Sequence, residues 1–371
     1  MIRFAAVLLC GVFYAVAVNA QPVIDIGQDP LKDLNPKKED SKVIEEAKEG
    51  RGIFSFMKFS FGKKEDTSVR LEEGETVESR LVKEAEAGSV DSQLLLGYIY
   101  LYGDKDIPQD YKKAFHYYSL AAEQDDKIAV NNLGSLYYSG IGTERSTVKA
   151  AQMFEKAVSL GNNEAAVNLA FIYLTGMGLP KNYSRAVSLF EIAANDANPT
   201  AQFMLGYAYY KGFGVKRDLR KAFSLMREAA GRNYDDAQYI LANMYINGEG
   251  VAKNYGNAVK FLSAAANQGN LEAMTELGDI LVNGVVYTQN IYEAHVWFNI
   301  ASVSGAPKAA QKRDALEKAL KIEELLQAQS QAERFVEKPS EVTIYIRETF
   351  GDNIRGYIDE AISDIRKKRG V

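Results

Sequence analysis

Residues 201–230 read AQFMLGYAYYKGFGVKRDLRKAFSLMREAA, and altered copies of this stretch recur along most of the chain. A Leu followed by Gly or Ala marks six copies, spaced once by 37 residues and then four times by 36. The phased leucines are Leu96, Leu133, Leu169, Leu205, Leu241 and Leu277, and alanines spaced by 36 throughout are Ala114, Ala150, Ala186, Ala222, Ala258 and Ala294. Such a period indicates one supersecondary unit repeated end to end, each copy burying an apolar face against its neighbours.

Each unit predicts two helices joined by a glycine-containing loop. In the first helix a small residue, the phased Leu and a Tyr follow one another in steps of four, which places them on one buried stripe. A Gly-x-Gly pair, such as Gly212 and Gly214, then ends the helix by supplying positive φ. The second helix repeats a small Ala seven residues apart, as at Ala186 and Ala193, so that a neighbouring helix approaches closely. The chain is therefore predicted to be all-α.

The N-terminus has the pattern of a secretion signal. Arg3 supplies a positive start, Phe4–Val18 is apolar, and Ala20 ends a run of small residues that suits a signal peptidase. The apolar run is shorter than the roughly 20 residues that a spanning helix needs, so cleavage after Ala20 is preferred to an uncleaved anchor. Cys10, the single cysteine, lies inside this signal, so the mature protein would contain no disulfide.

Residues 21–75 are predicted to form a flexible tether, because early prolines and mixed charge leave little apolar surface to bury. One part of the tether differs. Four phenylalanines lie within eight residues, at Phe54, Phe56, Phe59 and Phe61. This Phe-rich segment is interpreted either as a cap folded back on the first repeat or as a docking segment for a partner or a membrane surface within residues 52–64.

The repeat resembles the Sel1-like repeat, a relative of the tetratricopeptide repeat with a longer loop between its helices. The resemblance is carried by Leu205-Gly206, Tyr209, Gly212-Phe213-Gly214-Val215, Lys221-Ala222 and Ala229-Ala230. It implies a right-handed superhelical solenoid with six repeats over residues 76–306, a capping helix over 307–337 and a C-terminal extension over 338–371. It also implies an adaptor, as in secreted bacterial members that regulate signalling, scaffold polysaccharide export or interact with a host. Cysteine-rich members linked to β-lactam binding are a poor match, because the mature chain has no cysteine.

Nothing in the sequence points to catalysis or to a cofactor. The net charge is −5, with no basic block that would favour nucleic acid. The two histidines, His116 and His295, lie five repeats apart and are interpreted as ordinary helix-surface residues rather than metal ligands. Hydrolase, phosphate-loop and zinc-protease motifs do not occur, and the Gly-x-Gly pairs follow helices rather than strands. Catalytic, cofactor-binding and metal-binding residues are therefore predicted to be none.

A candidate binding surface is predicted where the first helix faces away from its buried Leu. Positions two before and two after that Leu point roughly 160–200° from it, toward the concave side of a superhelix. There the middle repeats carry aromatic rather than charged residues, with asparagines nearby that suit a peptide backbone. The predicted partner-binding residues are Phe171, Phe203, Tyr207, Tyr239, Asn131 and Asn168. The alternative is that the array buries these rings against its own neighbours.

These features predict a non-enzymatic, periplasmic or secreted adaptor that binds protein partners through the concave face of the repeats. A periplasmic regulator of a membrane signalling protein, a host-interaction factor, and a cell-envelope enzyme or carbohydrate-binding factor remain as alternatives.

Overall fold

The computed structural model describes residues 76–104, 106–285, 288–351 and 353–369, with residues 368 and 369 described by their backbone alone. Within these ranges the chain forms α-helices and no β-strand, which confirms the predicted all-α repeat fold. The helices are α1 (Val77–Glu86), α2 (Val90–Tyr102), α3 (Tyr111–Glu123), α4 (Lys127–Ser139), α5 (Thr147–Ser159), α6 (Asn163–Thr175), α7 (Tyr183–Asn195), α8 (Pro199–Lys211), α9 (Leu219–Gly231), α10 (Asp235–Asn247), α11 (Tyr255–Asn267), α12 (Leu271–Asn283), α13 (Ile291–Val303), α14 (Pro307–Glu317), α15 (Ile322–Glu333), α16 (Glu341–Phe350) and α17 (Gly356–Arg369). None of these helices is long and apolar enough to cross a membrane. The predicted signal peptide, the predicted tether and its Phe-rich segment lie outside the described residues.

Two compact units make up the chain, and the division runs through α6. The first reaches to Ile172 and includes Met177–Pro180, whereas the second comprises Tyr173–Gly176 and the residues from Lys181 onward. In the first unit each helix from α1 to α5 packs on the next, and in the second the same holds from α7 to α14. This is the consecutive packing of a helical solenoid, in which each element contacts its neighbours in sequence.

The phased leucines are buried as predicted, with exposed fractions between 0% and 7%. The small residue after each Leu lets the second helix approach. A Cβ atom on Gly278 would lie 2.5 Å from the Phe298 ring, and one on Gly134 would lie 2.8 Å from the Phe154 ring. The Leu-Gly pair therefore buries one side chain and leaves room for the bulky residue of the following helix.

The loops end the first helices as the glycine spacing predicts. Gly140, Gly212, Gly248 and Gly284 have left-handed backbones with φ between 62° and 76°. The second glycine of each pair lies close to an earlier helix, since a Cβ on Gly250 would lie 2.1 Å from the Leu219 backbone oxygen.

Each second helix begins at a polar N-cap that recurs with the repeat. The N-cap side chain accepts a hydrogen bond from the first turn of its helix, which satisfies an otherwise free amide. Its own N–H donates to the backbone oxygen of the Tyr, or of Leu281 in the last copy, at 2.7 to 3.1 Å. The N-caps are Asp110, Ser146, Asn182, Asp218, Asn254 and Asn290.

The end of the array differs from the single capping helix predicted over 307–337, because the chain forms α14 and α15 there. The Glu324 side chain accepts a hydrogen bond from the Lys321 amide at 2.9 Å, and this starts α15 independently of α14. Both helices pack on α13, and Ala309 and Ala328 are fully buried in the core of the last repeats. Beyond them the C-terminal extension forms α16 and α17.

Candidate functional site

The predicted partner-binding aromatic residues are not an open surface. Phe171 and Phe203 have exposed fractions of 0% and Tyr207 of 3%, whereas Tyr239 is half-buried. The expectation that the first three line an exposed face is therefore wrong for the chain in this conformation, and whether they contact a partner stays a prediction.

Phe203 and Tyr207 are covered within the second unit. The Phe203 ring stacks on that of Tyr207, with centroids 6.0 Å apart, and meets the Tyr234 ring edge-on at 4.9 Å. The Tyr207 hydroxyl donates to the carboxylate of Asp359 in α17, at 3.0 and 2.9 Å to its two oxygens. Burial, followed by the nearby Asp359 charge, raises the pKa of Tyr207. The C-terminal extension thus lies on the face where a binding surface was predicted.

The two predicted asparagines pair with each other. The Asn168 side-chain amide donates to Asn131 Oδ1 at 3.2 Å, and both side chains are buried. The predicted pairing with a peptide backbone requires these two side chains to be exposed, and in this conformation they are not.

Residues 338–367, the C-terminal segment, present an apolar stripe to the body of the second unit. Five of its apolar side chains have exposed fractions of 0% to 2%, at Ile346, Phe350, Ile354, Ile358 and Ala361. The first two lie on α16, Ile354 lies in the turn that follows, and the last two lie on α17. The segment contacts α8 through the Tyr207–Asp359 hydrogen bond, and it contacts α10 and α12 through two arginine–carboxylate pairs. The surface of these three helices that the segment covers is called the covered face.

Two arginines of the C-terminal segment pair with carboxylates on the covered face. Arg347 Nη2 lies 2.7 Å from Asp235 Oδ2. Arg355 Nη2 lies 2.6 Å from Glu272 Oε1 and 3.7 Å from Asp236 Oδ1. Asp235 and Asp236 are both buried, and charge pairs removed from water are screened far less than those on a surface.

The electrostatics of this contact are centred on Asp236. Burial raises the pKa of its carboxyl to about 6, while the Arg355 guanidinium opposes that rise. Asn270 donates to Asp236 Oδ1 at 3.1 Å. The Arg355 guanidinium also lies 5.1 Å from the centroid of the Tyr239 ring, in reach of a cation–π attraction. The arrangement holds a buried carboxylate by charge and hydrogen bonding from several directions.

A cleft of about 740 Å³ opens beside the covered face, between α17 and the loop after α8. Its lining includes Lys211, Phe213, Asp359, Arg366 and Lys367. Lys211 Nζ lies 3.5 Å from Asp359, so an ion pair closes one end of this cleft.

The histidines differ from each other. His116 is exposed on α3, as predicted. His295 is fully buried in α13, so the interpretation as a surface residue is wrong for it. Neither of its ring nitrogens has a hydrogen-bond partner among the described residues, and burial lowers its pKa. Across the same residues no group of three or more His, Cys, Asp or Glu side chains is placed to hold a metal ion.

The fold and the covered face define a helical repeat protein with an extended helical surface. A family model described as Sel1 repeat matches residues 90–126, 127–162, 163–198, 199–234, 235–270 and 271–302. The chain belongs to the Sel1 repeat family, whose members generally act in protein–protein interaction.

Solved structures similar to this chain include the following two. A protective antigen present in uropathogenic Escherichia coli strains, which displays an SLR fold, has a TM-score of 0.51 and 25% identity, covering 72% of this chain and 65% of its own. A Sel1 repeat protein from Oxalobacter formigenes has a TM-score of 0.52 and 24% identity, covering 72% and 97% of the two chains, and shows the fold alone.

Among curated proteins, the DAP3-binding cell death enhancer 1 of Rattus norvegicus is 32% identical over 84 residues. That match covers 23% of this chain and 16% of the rat protein. This chain thus spans less than two thirds of the rat protein and of the E. coli antigen.

The residues that pair with the C-terminal segment were not predicted from the sequence. Asp235, Asp236 and Glu272 lie at the starts of two first helices. Acidic residues are common there because the helix dipole stabilises them, so their presence does not by itself indicate a contact. One signal was available. Tyr234 replaces the polar N-cap that other first helices carry, such as Asn198 and Asn270.

Proposed function

We propose that the chain is an exported, non-enzymatic adaptor that binds a helical segment of a protein partner on the covered face. The observation that carries the proposal is that this face already holds a helical segment, the chain's own C-terminal one. It does so with a buried apolar stripe and with the Arg347–Asp235 and Arg355–Glu272 ion pairs. A surface that accepts short amphipathic helices this way has the general features of a helix-binding groove.

Two further features support an adaptor. The family generally acts in protein–protein interaction, and the described residues present extended helix surfaces. Export is supported by the N-terminal pattern ending at Ala20. We expect the mature protein to begin at Gln21 and to be recovered from the periplasm or the medium.

Site-specific photo-crosslinking in intact cells tests the binding surface. A photo-crosslinking amino acid replaces Lys211, which is exposed beside the covered face, and in a matched control replaces Arg227, which is exposed on the second helix α9. The proposal predicts a discrete intermolecular adduct from position 211 and none from position 227. Adducts from position 227 alone, or the same adducts from both positions, would contradict it.

Mass spectrometry of the purified protein's N-terminus tests export. A chain that is not cleaved after Ala20 would contradict that part of the proposal.

A further inference from the structure

The covered face has a chemical preference that its present occupant reveals. Two buried carboxylates, Asp235 and Asp236, lie at the start of α10, and Glu272 lies at the start of α12. The basic groups paired with them across the interface are Arg347 and Arg355 of the C-terminal segment. Removing one partner of a buried charge pair leaves the other uncompensated, which is strongly unfavourable. An apolar or acidic helix in the same place would therefore bind poorly.

The C-terminal segment also completes the helix on which it lies. First helices such as α8 and α12 are capped by their own asparagines, whereas Tyr234 at the N-cap of α10 makes no side-chain cap. The Thr343 hydroxyl replaces that cap, because it accepts a hydrogen bond from the Asp235 amide at 3.2 Å. It donates in turn to Gln268 Oε1 at 2.7 Å. This contact is independent of the ion pairs, and it supplies the N-terminus of α10 with a cap from outside the repeat.

Further polar contacts hold the start of the segment. The Lys338 amide donates to the Asn267 backbone oxygen and the Ser340 amide to Gln268 Oε1, both at 2.9 Å. At the other end Asp364 lies 3.2 Å from Lys181 Nζ in an exposed pair. Exposed pairs contribute little to stability, so the strong contacts lie in the first part of the segment and around Arg355.

We propose that the C-terminal segment is an internal ligand, which competes for the covered face with a partner whose binding segment is a cationic amphipathic helix. The proposal rests on the proposed function and gives its partner a chemistry. A partner helix with two basic side chains beside an apolar stripe satisfies the carboxylates that the departing segment leaves. The exchange makes the affinity for the partner depend on how firmly the internal segment is held, since only the open state is competent to bind.

A labelled peptide tests the competition with the full-length mature protein. The probe is a synthetic fluorescent peptide of residues 338–369, and the receptor is either the natural protein or the variant with Arg347→Glu and Arg355→Glu. The two substitutions loosen the internal segment and leave the covered face unchanged. The peptide should bind the variant at least about tenfold more tightly than the natural protein, because two buried charge pairs are lost in the competitor. A peptide carrying the same two substitutions is the control and should bind neither.

A charge exchange tests the recognition itself. Glu272 is half-exposed, so Glu272→Lys is tolerated by the fold. In the otherwise natural protein it opposes the internal Arg355, so a peptide with Arg355→Glu should bind this variant more tightly than the natural peptide does. If the double variant misfolds, Thr343→Val removes one hydroxyl only and should raise peptide binding in the same direction. Equal binding of the natural peptide to every receptor, or binding to none of them, would overturn the proposal.

Crosslinking from position 211 separates this inference from the proposed function. The adduct yield should rise in the Arg347→Glu, Arg355→Glu variant if the internal segment competes with the partner. An equal yield in both proteins would overturn the internal ligand and leave the adaptor intact. No adduct in either protein would overturn the adaptor, whatever the peptide does.

Discussion

The turns between repeats each contain one residue with a left-handed backbone, and the conformational strain of that residue depends on its type. The turn after each second helix needs a left-handed residue, which is glycine at Gly161 and Gly269 but alanine at Ala197, where φ is 59°. A left-handed backbone costs an L-residue with a Cβ about 1–2 kcal/mol, and glycine avoids that cost at some loss of unfolded-state entropy. Equivalent turns therefore differ in strain because of one methyl group.

Exchange of the two residue types should move stability in opposite directions. Ala197→Gly is expected to raise the free energy of unfolding by about 0.5–1 kcal/mol, because relief of strain exceeds the added chain entropy. Gly161→Ala should lower it by about 1 kcal/mol, although a Cβ there meets no atom within 4 Å. Urea denaturation of both variants measures the free energy of unfolding. Changes of the same sign in the two variants would contradict the assignment of backbone strain to Ala197.

His295 is the second residue whose environment has a measurable consequence. Burial lowers its pKa in the folded protein, so the unfolded chain binds a proton more readily. The stability contributed by neutral His295 is fully present above its unfolded pKa of about 6.5 and is lost as pH falls toward the lower folded value. His295→Leu removes this titration and two unpartnered ring nitrogens.

The stability of the natural protein should therefore fall more steeply than that of His295→Leu as pH decreases from about 7 to about 5. Urea midpoints across this range measure the difference. The matched variant His116→Leu alters an exposed histidine and should follow the natural protein. Parallel curves for natural protein and His295→Leu would show that His295 has its ordinary affinity for protons.

At the scale of the helix, small residues determine how closely neighbours approach. Ala193 in α7 is fully buried, and α7 packs on α8. The Gly or Ala after each repeat Leu has the same role in the first helices, as the 2.5 Å approach to the Phe298 ring shows at Gly278. The alternation of large and small side chains gives each joint a fixed spacing.

Enlarging one small side chain should strain such a joint. Ala193→Leu is expected to cost about 1–3 kcal/mol of unfolding free energy, because overpacking shifts the helices apart. Glu191→Leu places the same side chain on the exposed side of α7 and should change stability by less than about 0.5 kcal/mol. Equal denaturation midpoints for the two variants would contradict the assignment of Ala193 to the joint.

At the scale of the molecule, the last repeat is sealed by helices that are not repeats. Ala328 of α15 is fully buried in the core that also contains Phe298 and Ala309. The single Trp of the chain, Trp297, meets the Phe335 ring edge-on with centroids 5.8 Å apart. Open repeat ends require such a cover for solubility.

Trp297 reports on this cover. Ala328→Lys places a charge in the core and should release α15, at a cost above about 2 kcal/mol, with a red shift of the Trp emission. Gln327→Lys adds the same charge at the neighbouring exposed position and should leave the emission unchanged. A natural emission spectrum in Ala328→Lys would show that α15 does not shield Trp297.

The repeats could be predicted because their signals are local and periodic. The Leu stripes, the glycine loops and the small residues at the joints all depend on neighbours within one or two units, so the 36-residue period reports them directly. The recurring N-caps from Asp110 to Asn290 carry the same period, although they were not predicted from it. The break between α14 and α15 was not, because it depends on packing against α13 rather than on a glycine or a proline.

The sequence by itself thus determined the helices, their order and the family, because each helix is specified by residues close to it in the chain. Only the tertiary structure decided what covers the predicted binding surface. The Tyr207–Asp359 hydrogen bond joins residues 152 positions apart, and the C-terminal segment lies outside the repeat period. Periodicity identifies a face that points away from the buried stripe, yet burial of that face depends on long-range pairing between charges that look solvated in the sequence.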